Sequence, residues 1–180
     1  PAMPAEIGFF NTPAPAWDVC LAGTIAYVAA GPAGLLVLDI TVPSAPVLLA
    51  EVDTPGRAMQ VQVEGSLAYV ADDTAGLQIY DVGDPSQPVR LGGLAAMEQA
   101  KGLHVVGALA AVTDTTRGLV LVDVSDPWSP VEVGSHDLGE GEGRIAMDVF
   151  LAGNMAYVAD GNRGLQIIRL MTNLHMALND

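Results

Sequence analysis

One phrase returns along this chain at a nearly constant interval, so the fold has to be read from a tandem repeat. It is fullest at residues 67–91, LAYVADDTAGLQIYDVGDPSQPVRL, and recurs as IAYVAAGPAGLLVLDITVPSAPVLL at 25–49, LAAVTDTTRGLVLVDVSDPWSPVEV at 109–133 and MAYVADGNRGLQIIRL at 155–170. Residues 67–71 are a short run of strand formers, 72–76 a turn cluster, 77–82 a second run, 83–87 a second turn, and 88–91 open a third run. Gly23, Gly65 and Gly107 lie 42 residues apart, Gly153 follows after 46, and Gly34, Gly76, Gly118 and Gly164 keep the same spacing.

Each unit starts with a further strand, at residues 17–22, 59–64, 102–106 and 147–152. Four short strands, a to d, in about 42 residues are the size and pattern of one propeller blade. The first glycines fall in two-residue a-to-b hairpins, where a positive φ suits the strand twist. The second glycines open strand c, where a missing side chain permits a bulge or the close approach of the next blade. The c-to-d turns, such as Asp84-Pro85-Ser86-Gln87-Pro88, have an Asp to cap the turn and a Pro that makes strand d an edge strand at its start. Tyr27, Val28, Val70, Val112 and Val158 on strand b are expected to be buried. So are Leu36, Val37, Leu77, Ile79, Leu119, Leu121, Leu165 and Ile167 on strand c.

The expected fold is all-β: one domain over residues 1–180, with repeats at about 14–55, 56–97, 98–143 and 144–170 and a tail at 171–180. Residues 4–13 align with a strand d that has no a-b-c before it, and the last repeat stops after strand c. Residues 6–10 should therefore pair with 165–168 and close a four-blade ring, removing two exposed edges. The alternative is part of a larger propeller, or a half completed by another chain. The chain opens on Pro1, which leaves a removed signal peptide or longer precursor as an open expectation.

Asp and Glu outnumber Lys and Arg by 21 to 7, with a formal charge of -14 and a pI near 4.2. That balance argues against nucleic acid or an anionic membrane as partner. No apolar run reaches the length of a membrane-spanning helix. Cys20, the lone cysteine, reads as a buried inert thiol. His104, His136 and His175 are too scattered for a zinc site, and no hydrolase elbow or phosphate loop is present. His104 aligns with Cys20, Gln62 and Phe150 and reads as an interblade packing residue. Asp72, Asp73, Asp114 and Asp160 recur in the b-to-c loops and could hold calcium. Turn chemistry explains them without a metal, and Ala30 replaces the Asp in the first repeat, so neither metal nor cofactor is expected.

The b-to-c and d-to-a loops emerge on one face, which varies most at the four-residue insertion before the last repeat. Arg57, Asp72, Asp73, Lys101, Arg117, Glu140, Glu142, Arg144, Asp160, Asn162 and Arg163 should share that rim. Trp17, Asp18, Gln60 and Asp148 should lie at the channel mouth beside it.

The phrase AYVADxxxGLxIxDVSDPxxPV, best seen at 67–91 and 109–133, resembles the LVIVD repeat, named for its strand c. Here that strand reads Leu36-Val37-Leu38-Asp39, Gln78-Ile79-Tyr80-Asp81 and Leu119-Val120-Leu121-Val122-Asp123. The resemblance covers about residues 4–170, and Arg169 departs from it where the strand-c Asp belongs. It implies a β-propeller of a bacterial or archaeal type, often exported or at the cell surface, with no assigned catalysis. The expected function is a non-catalytic interaction or structural module that docks other protein subunits on its loop face. The alternative is a small-ligand binder or a hydrolytic or lyase-type enzyme using the channel mouth, with Asp18, Asp148 and His136 as acid–base groups.

Overall fold

A computed structural model describes residues 3–139 and 146–170. The strands are β1 (Asp18–Ala22), β2 (Ile25–Ala29), β3 (Leu35–Asp39), β4 (Val47–Val52), β5 (Gln60–Glu64), β6 (Leu67–Ala71), β7 (Leu77–Asp81) and β8 (Val89–Leu94). They continue as β9 (Ala100–Val106), β10 (Leu109–Asp114), β11 (Gly118–Asp123), β12 (Val131–His136), β13 (Ala146–Ala152), β14 (Met155–Asp160) and β15 (Gly164–Arg169). They form four antiparallel sheets in chain order: β1-β2-β3-β4, β5-β6-β7-β8, β9-β10-β11-β12 and the three-stranded β13-β14-β15. These are the repeats read above, numbered here blades 1 to 4.

Local chemistry repeats with the sheets. Gly23, Gly65, Gly107 and Gly153 turn the a-to-b hairpins with φ from 57° to 62°, a region closed to most side chains. Strand d carries one extra residue opposite Val37/Leu38, Ile79/Tyr80 and Leu121/Val122, a bulge that adds twist in blades 1 to 3. The strand-c aspartates open the following turn: Thr41, Gly83 and Ser125 donate backbone N–H to Asp39, Asp81 and Asp123 at 2.7, 2.8 and 2.9 Å. Strand β15 leads into no such turn among the described residues, and its end carries Arg169 instead.

Packing runs from blade to blade. Because side chains alternate across a strand, Tyr27, Leu35 and Val37 of blade 1 meet Val61, Ala68 and Val70 of blade 2. Tyr69, Leu77 and Ile79 meet Leu103, Val105 and Val112 in the same way, and Leu109, Leu119 and Leu121 meet Val149, Leu151 and Val158. Full burial of one such side chain is worth about 1.5–3 kcal/mol, so each seam is held chiefly by apolar contact.

Three expectations are corrected. Leu165 and Ile167 are 64% and 58% exposed, because among the described residues no blade lies against that face of blade 4. Their counterparts across the gap, Val19 and Leu21 on β1, are 57% and 62% exposed. Residues 6–10 form no strand and, among the described residues, β15 pairs only with β14, so the anticipated pairing of 6–10 with 165–168 is not formed. The N-terminal segment lies instead on blade 1, where Phe10 packs against Ala26, Val28, Leu36 and Leu38. The glycine opening strand c also acts differently from expectation. A Cβ at Gly34, Gly76 or Gly118 would lie 2.1, 2.2 or 2.6 Å from the carbonyl oxygen of Val52, Leu94 or His136. What comes close is therefore strand d of the same blade or the residue ending it, not the next blade.

Gly76 combines that contact with a φ of 73°. Gly76→Val is expected to destabilise the protein by about 1–3 kcal/mol, read as a lowered urea midpoint. An unchanged midpoint would mean that the β7–β8 approach is not fixed as described.

Candidate functional site

Strand a is the innermost strand of every blade, and its side chains bridge to strand a of the next. The Val61 N–H donates to Asp18 Oδ2 at 3.0 Å and the Leu103 N–H to Gln60 Oε1. The Val105 N–H donates to Gln62 Oε1 at 2.8 Å and the Leu151 N–H to His104 Nδ1 at 3.1 Å. Asp18, Gln60, Gly102 and Asp148 occupy one repeat position. Glycine stands at 102 because a Cβ there would lie 2.6 Å from the Asp148 Cα. The fourth member, Asp148, accepts from Gln60 Nε2 at 3.3 Å and from its own neighbour's Val149 N–H at 2.9 Å. That first contact runs from blade 2 to blade 4 across the axis.

The channel-mouth quartet is brought together. Trp17, Asp18, Gln60 and Asp148 line one cavity of about 200 Å³, with Met59, Lys101 and Met147. His136 does not join them: it ends β12, the outermost strand of its blade, so the acid–base trio Asp18, Asp148 and His136 does not assemble. His104 packs between blades as anticipated, its ring 4.3 Å from that of Phe150. Burial holds its imidazole below the ordinary range, with the Asp148 carboxylate pulling the other way.

The b-to-c and d-to-a loops do share a face, and the aspartates there act as clamps. Thr54 Oγ1 donates to Asp72 Oδ1 at 2.6 Å and the Gly56 N–H to Asp72 Oδ2 at 2.8 Å. One repeat later the Glu98 and Gln99 N–H groups both donate to Asp114 Oδ2 at 2.8 Å, while Thr116 and Arg117 donate to Oδ1. Each carboxylate thus pins the loop that enters its blade. Burial pushes Asp72 up, and Asp73 beside it adds to the effect. Burial also acts to raise Asp114, but its larger set of donors outweighs this and holds it below the usual carboxylate range.

The expected rim is therefore only partly a surface. Asp72 and Asp160 are fully buried and cannot meet a partner directly, because one clamps a loop and the other accepts from Gln166 Nε2 at 2.6 Å. Lys101 pairs with Asp73 at 2.8 Å, and Arg117 pairs with Glu132 at 2.6 Å while also donating to the Ala96 carbonyl. Arg57 is exposed, and Arg163 donates to the Leu138 carbonyl at 2.6 Å. Glu140, Glu142 and Arg144, and the side chain of Asn162, lie outside the described residues. Among the described residues no group of three or more metal-binding side chains comes together, and no helix is long and apolar enough to cross a membrane.

Sequence reasoning missed Gln62 and the loop-pinning role of Asp72 and Asp114. Their signals were present: Gln62 shares the repeat position of His104, and the b-to-c Asp stands 16 residues beyond Gly56 or Glu98 in each case.

Three four-stranded antiparallel blades, a three-stranded fourth and inner strands meeting around one cavity define a β-propeller-like repeat array. The chain belongs to the LVIVD repeat family, whose profile matches residues 14–54, 55–93, 98–137 and 143–169. Among solved structures it is similar to the computationally designed Ika4 protein, with a TM-score of 0.74 and 13% identity over 94% of this chain and 100% of that one. It is also similar to the computationally designed Ika8 protein, with a TM-score of 0.69 and 12% identity over 86% of this chain and 46% of that one. For the N-terminal domain of Nup159 the TM-score is 0.58, with 14% identity over 85% of this chain and 44% of that one. The chain thus spans less than half the length of the last two, and at these identities the likeness concerns the fold alone. Comparison with curated proteins gave no match.

Two side chains supply predictions. Tyr80 Oη is buried with no partner among the described residues, and burial, with the Asp72 carboxylate nearby, pushes its phenol up to about 12. Removing an unpaired buried hydroxyl relieves its desolvation, so Tyr80→Phe is expected to stabilise by about 1 kcal/mol. A lowered melting temperature would show that the hydroxyl has a partner. For His104, a folded-state pKa below the unfolded value means that its contribution is full above about pH 6.5 and is lost as pH falls through the folded value. His104→Gln keeps an acceptor for the Leu151 N–H and cannot titrate. Its melting temperature should fall less than the parent's between neutral pH and pH 5, and an equal fall would remove His104 as the cause.

Proposed function

We propose that this protein is a non-catalytic interaction or structural scaffold of an exported or cell-surface assembly. Its four blades close into a ring with the N-terminal segment as the last strand, and other protein subunits dock on the loop face. The observation that carries this reading is the use of the axial polar groups. Asp18, Gln60, Gln62 and His104 each hold a backbone N–H of the next blade. A group held in such a bond is committed to structure rather than poised for proton transfer. The cavity that Asp18 and Gln60 help to line, about 200 Å³, is below the roughly 300–1,000 Å³ of ordinary small-molecule sites. The loop face, by contrast, is a rigid surface of pinned loops with charged side chains standing on it. The acidity of the chain favours protein over nucleic acid as partner.

One observation favours a small-ligand reading. Trp17 is exposed at the cavity mouth, beside Asp18 and Asp148. The two readings separate on paired variants, Arg57→Glu on the loop face and Trp17→Ala at the mouth. With a protein captured by cross-linking under native conditions, the scaffold reading expects Arg57→Glu to weaken binding about tenfold or more and Trp17→Ala to leave it unchanged. Binding lost only in Trp17→Ala, or a thermal shift by a small molecule that depends on Trp17, would overturn it.

A further inference from the structure

Trp17, Met59, Lys101 and Met147 occupy one repeat position, one from each blade, and all four line the axial cavity of about 200 Å³. Two of the four are thioethers. They come from blades 2 and 4, which the bond from Gln60 Nε2 to Asp148 Oδ1 joins across the axis. Methionine ordinarily fills gaps in a core, and Met97 does so between blades 2 and 3. Met59 and Met147 belong to none of the apolar cores among the described residues, and Met147 is 53% exposed. Both sulfur side chains therefore face the cavity without a packing role to account for them.

The cavity is also set up for positive charge. At the next repeat position Asp18 and Asp148 place two carboxylates on it. Lys101 is the one base in its lining, and its Nζ lies 2.8 Å from Asp73 Oδ1, which neutralises it. Among the described residues neither Asp18 nor Asp148 has an ion pair. A small cleft carrying unpaired carboxylates, in a chain of formal charge -14, concentrates cations.

The donor set separates the classes of cation. A hard divalent ion such as calcium takes about six to eight oxygens. Here Asp18 Oδ2 already accepts from the Val61 N–H, Asp148 Oδ1 from the Val149 N–H and Gln60 Nε2, and Gln60 Oε1 from the Leu103 N–H. Asp18 Oδ1 and Asp148 Oδ2 are the carboxylate oxygens left over, too few for such an ion. An organic cation needs more room, since ordinary small-molecule sites start at roughly 300 Å³. A soft monovalent ion needs few ligands and selects thioethers, and an indole face adds its own attraction for a cation.

We propose that the axial mouth binds one soft monovalent metal ion of the copper(I) class, with Met59 and Met147 as its ligands, the Trp17 indole beside it, and Asp18 and Asp148 supplying the charge. Histidine, cysteine and carboxylate groups gather nowhere in threes among the described residues, so the site rests on the sulfur of the two methionines. Lys101 takes the place where a third thioether would stand, and Asp73 draws its charge aside. The ion site goes beyond the scaffold function and is independent of it. A single metal ion on the axis is neither a docked subunit nor an organic ligand, and it does not touch Arg57 on the loop face.

The test uses Ag⁺ as an air-stable soft probe on the full chain carrying Cys20→Ser and Trp128→Phe, so that no thiol competes and Trp17 is the only tryptophan. With isotope-labelled methionine methyl groups, one equivalent of Ag⁺ is expected to quench the Trp17 emission and shift the Met59 and Met147 signals while Met97 stays in place. Met59→Leu and Met147→Leu keep the size and apolarity of the side chain. Each should weaken Ag⁺ binding about tenfold or more, as loss of a metal-holding group does. Lys101→Met sets a third thioether at the same repeat position and should tighten binding about tenfold, a gain that a folding defect cannot imitate. Methyl signals that stay in place, or an affinity unchanged in either Met→Leu variant, would overturn the site. Equal shifts with Ca²⁺ or tetramethylammonium would overturn its softness and assign the cavity to a hard or an organic cation. An affinity unchanged or lowered in Lys101→Met would overturn the convergence of the four positions on one ion. None of these results bears on the loop face, where the Arg57→Glu variant is read separately.

Discussion

The rest of the structure depends on the coupling of one blade's inner strand to the next. A small sheet with an apolar face has to bury that face against another element, so each blade is held by the one packed on it. Apolar burial supplies most of the attraction, yet it is non-directional and would tolerate several registers. Direction comes from the strand-a bonds, in which a side chain of one blade takes an N–H of the next at Val61, Leu103, Val105 and Leu151. Each bond adds only about 1 kcal/mol net. Its larger effect is that a shifted blade would leave an inner N–H buried and unpaired.

The same economy of residues shapes the loop face. Asp72 and Asp114 hold the entering loops to the tops of blades 2 and 3, which makes a row of turns behave as one surface. The opposite directions of their pKa shifts follow from donor number: two donors do not offset burial at Asp72, while four or more do at Asp114. Acid therefore weakens the blade 3 clamp through Asp114, whose depressed pKa means its stabilisation is lost as pH falls through the folded value.

Much of this was legible in the chain because repeats expose their own grammar. The strand order, the hairpin glycines and the meeting of Trp17, Asp18, Gln60 and Asp148 at one cavity all follow from aligning the repeats. Two things did not. Leu165 and Ile167 have the pattern of core residues, and pattern records only what a side chain is suited to lie under, not whether that cover is in place. Asp72 and Asp114 looked like turn residues bonding their own loop. A carboxylate's second partner, 16 residues away in sequence, is a tertiary fact that turn chemistry does not contain. The replacement of the clamp by Ala30 was visible as a departure, and its meaning came only with the contact it removes.

Native-state amide hydrogen exchange tests the central claim most directly. The N–H groups of Val61, Leu103, Val105 and Leu151 bond to side chains of the preceding blade rather than to a neighbouring strand of their own sheet. If interblade bonds set the register, these amides exchange as slowly as those of Val70 and Val112 in the blade interiors. Exchange at the rate of the exposed outer edges would contradict it, and would mean that apolar contact alone holds the blades together.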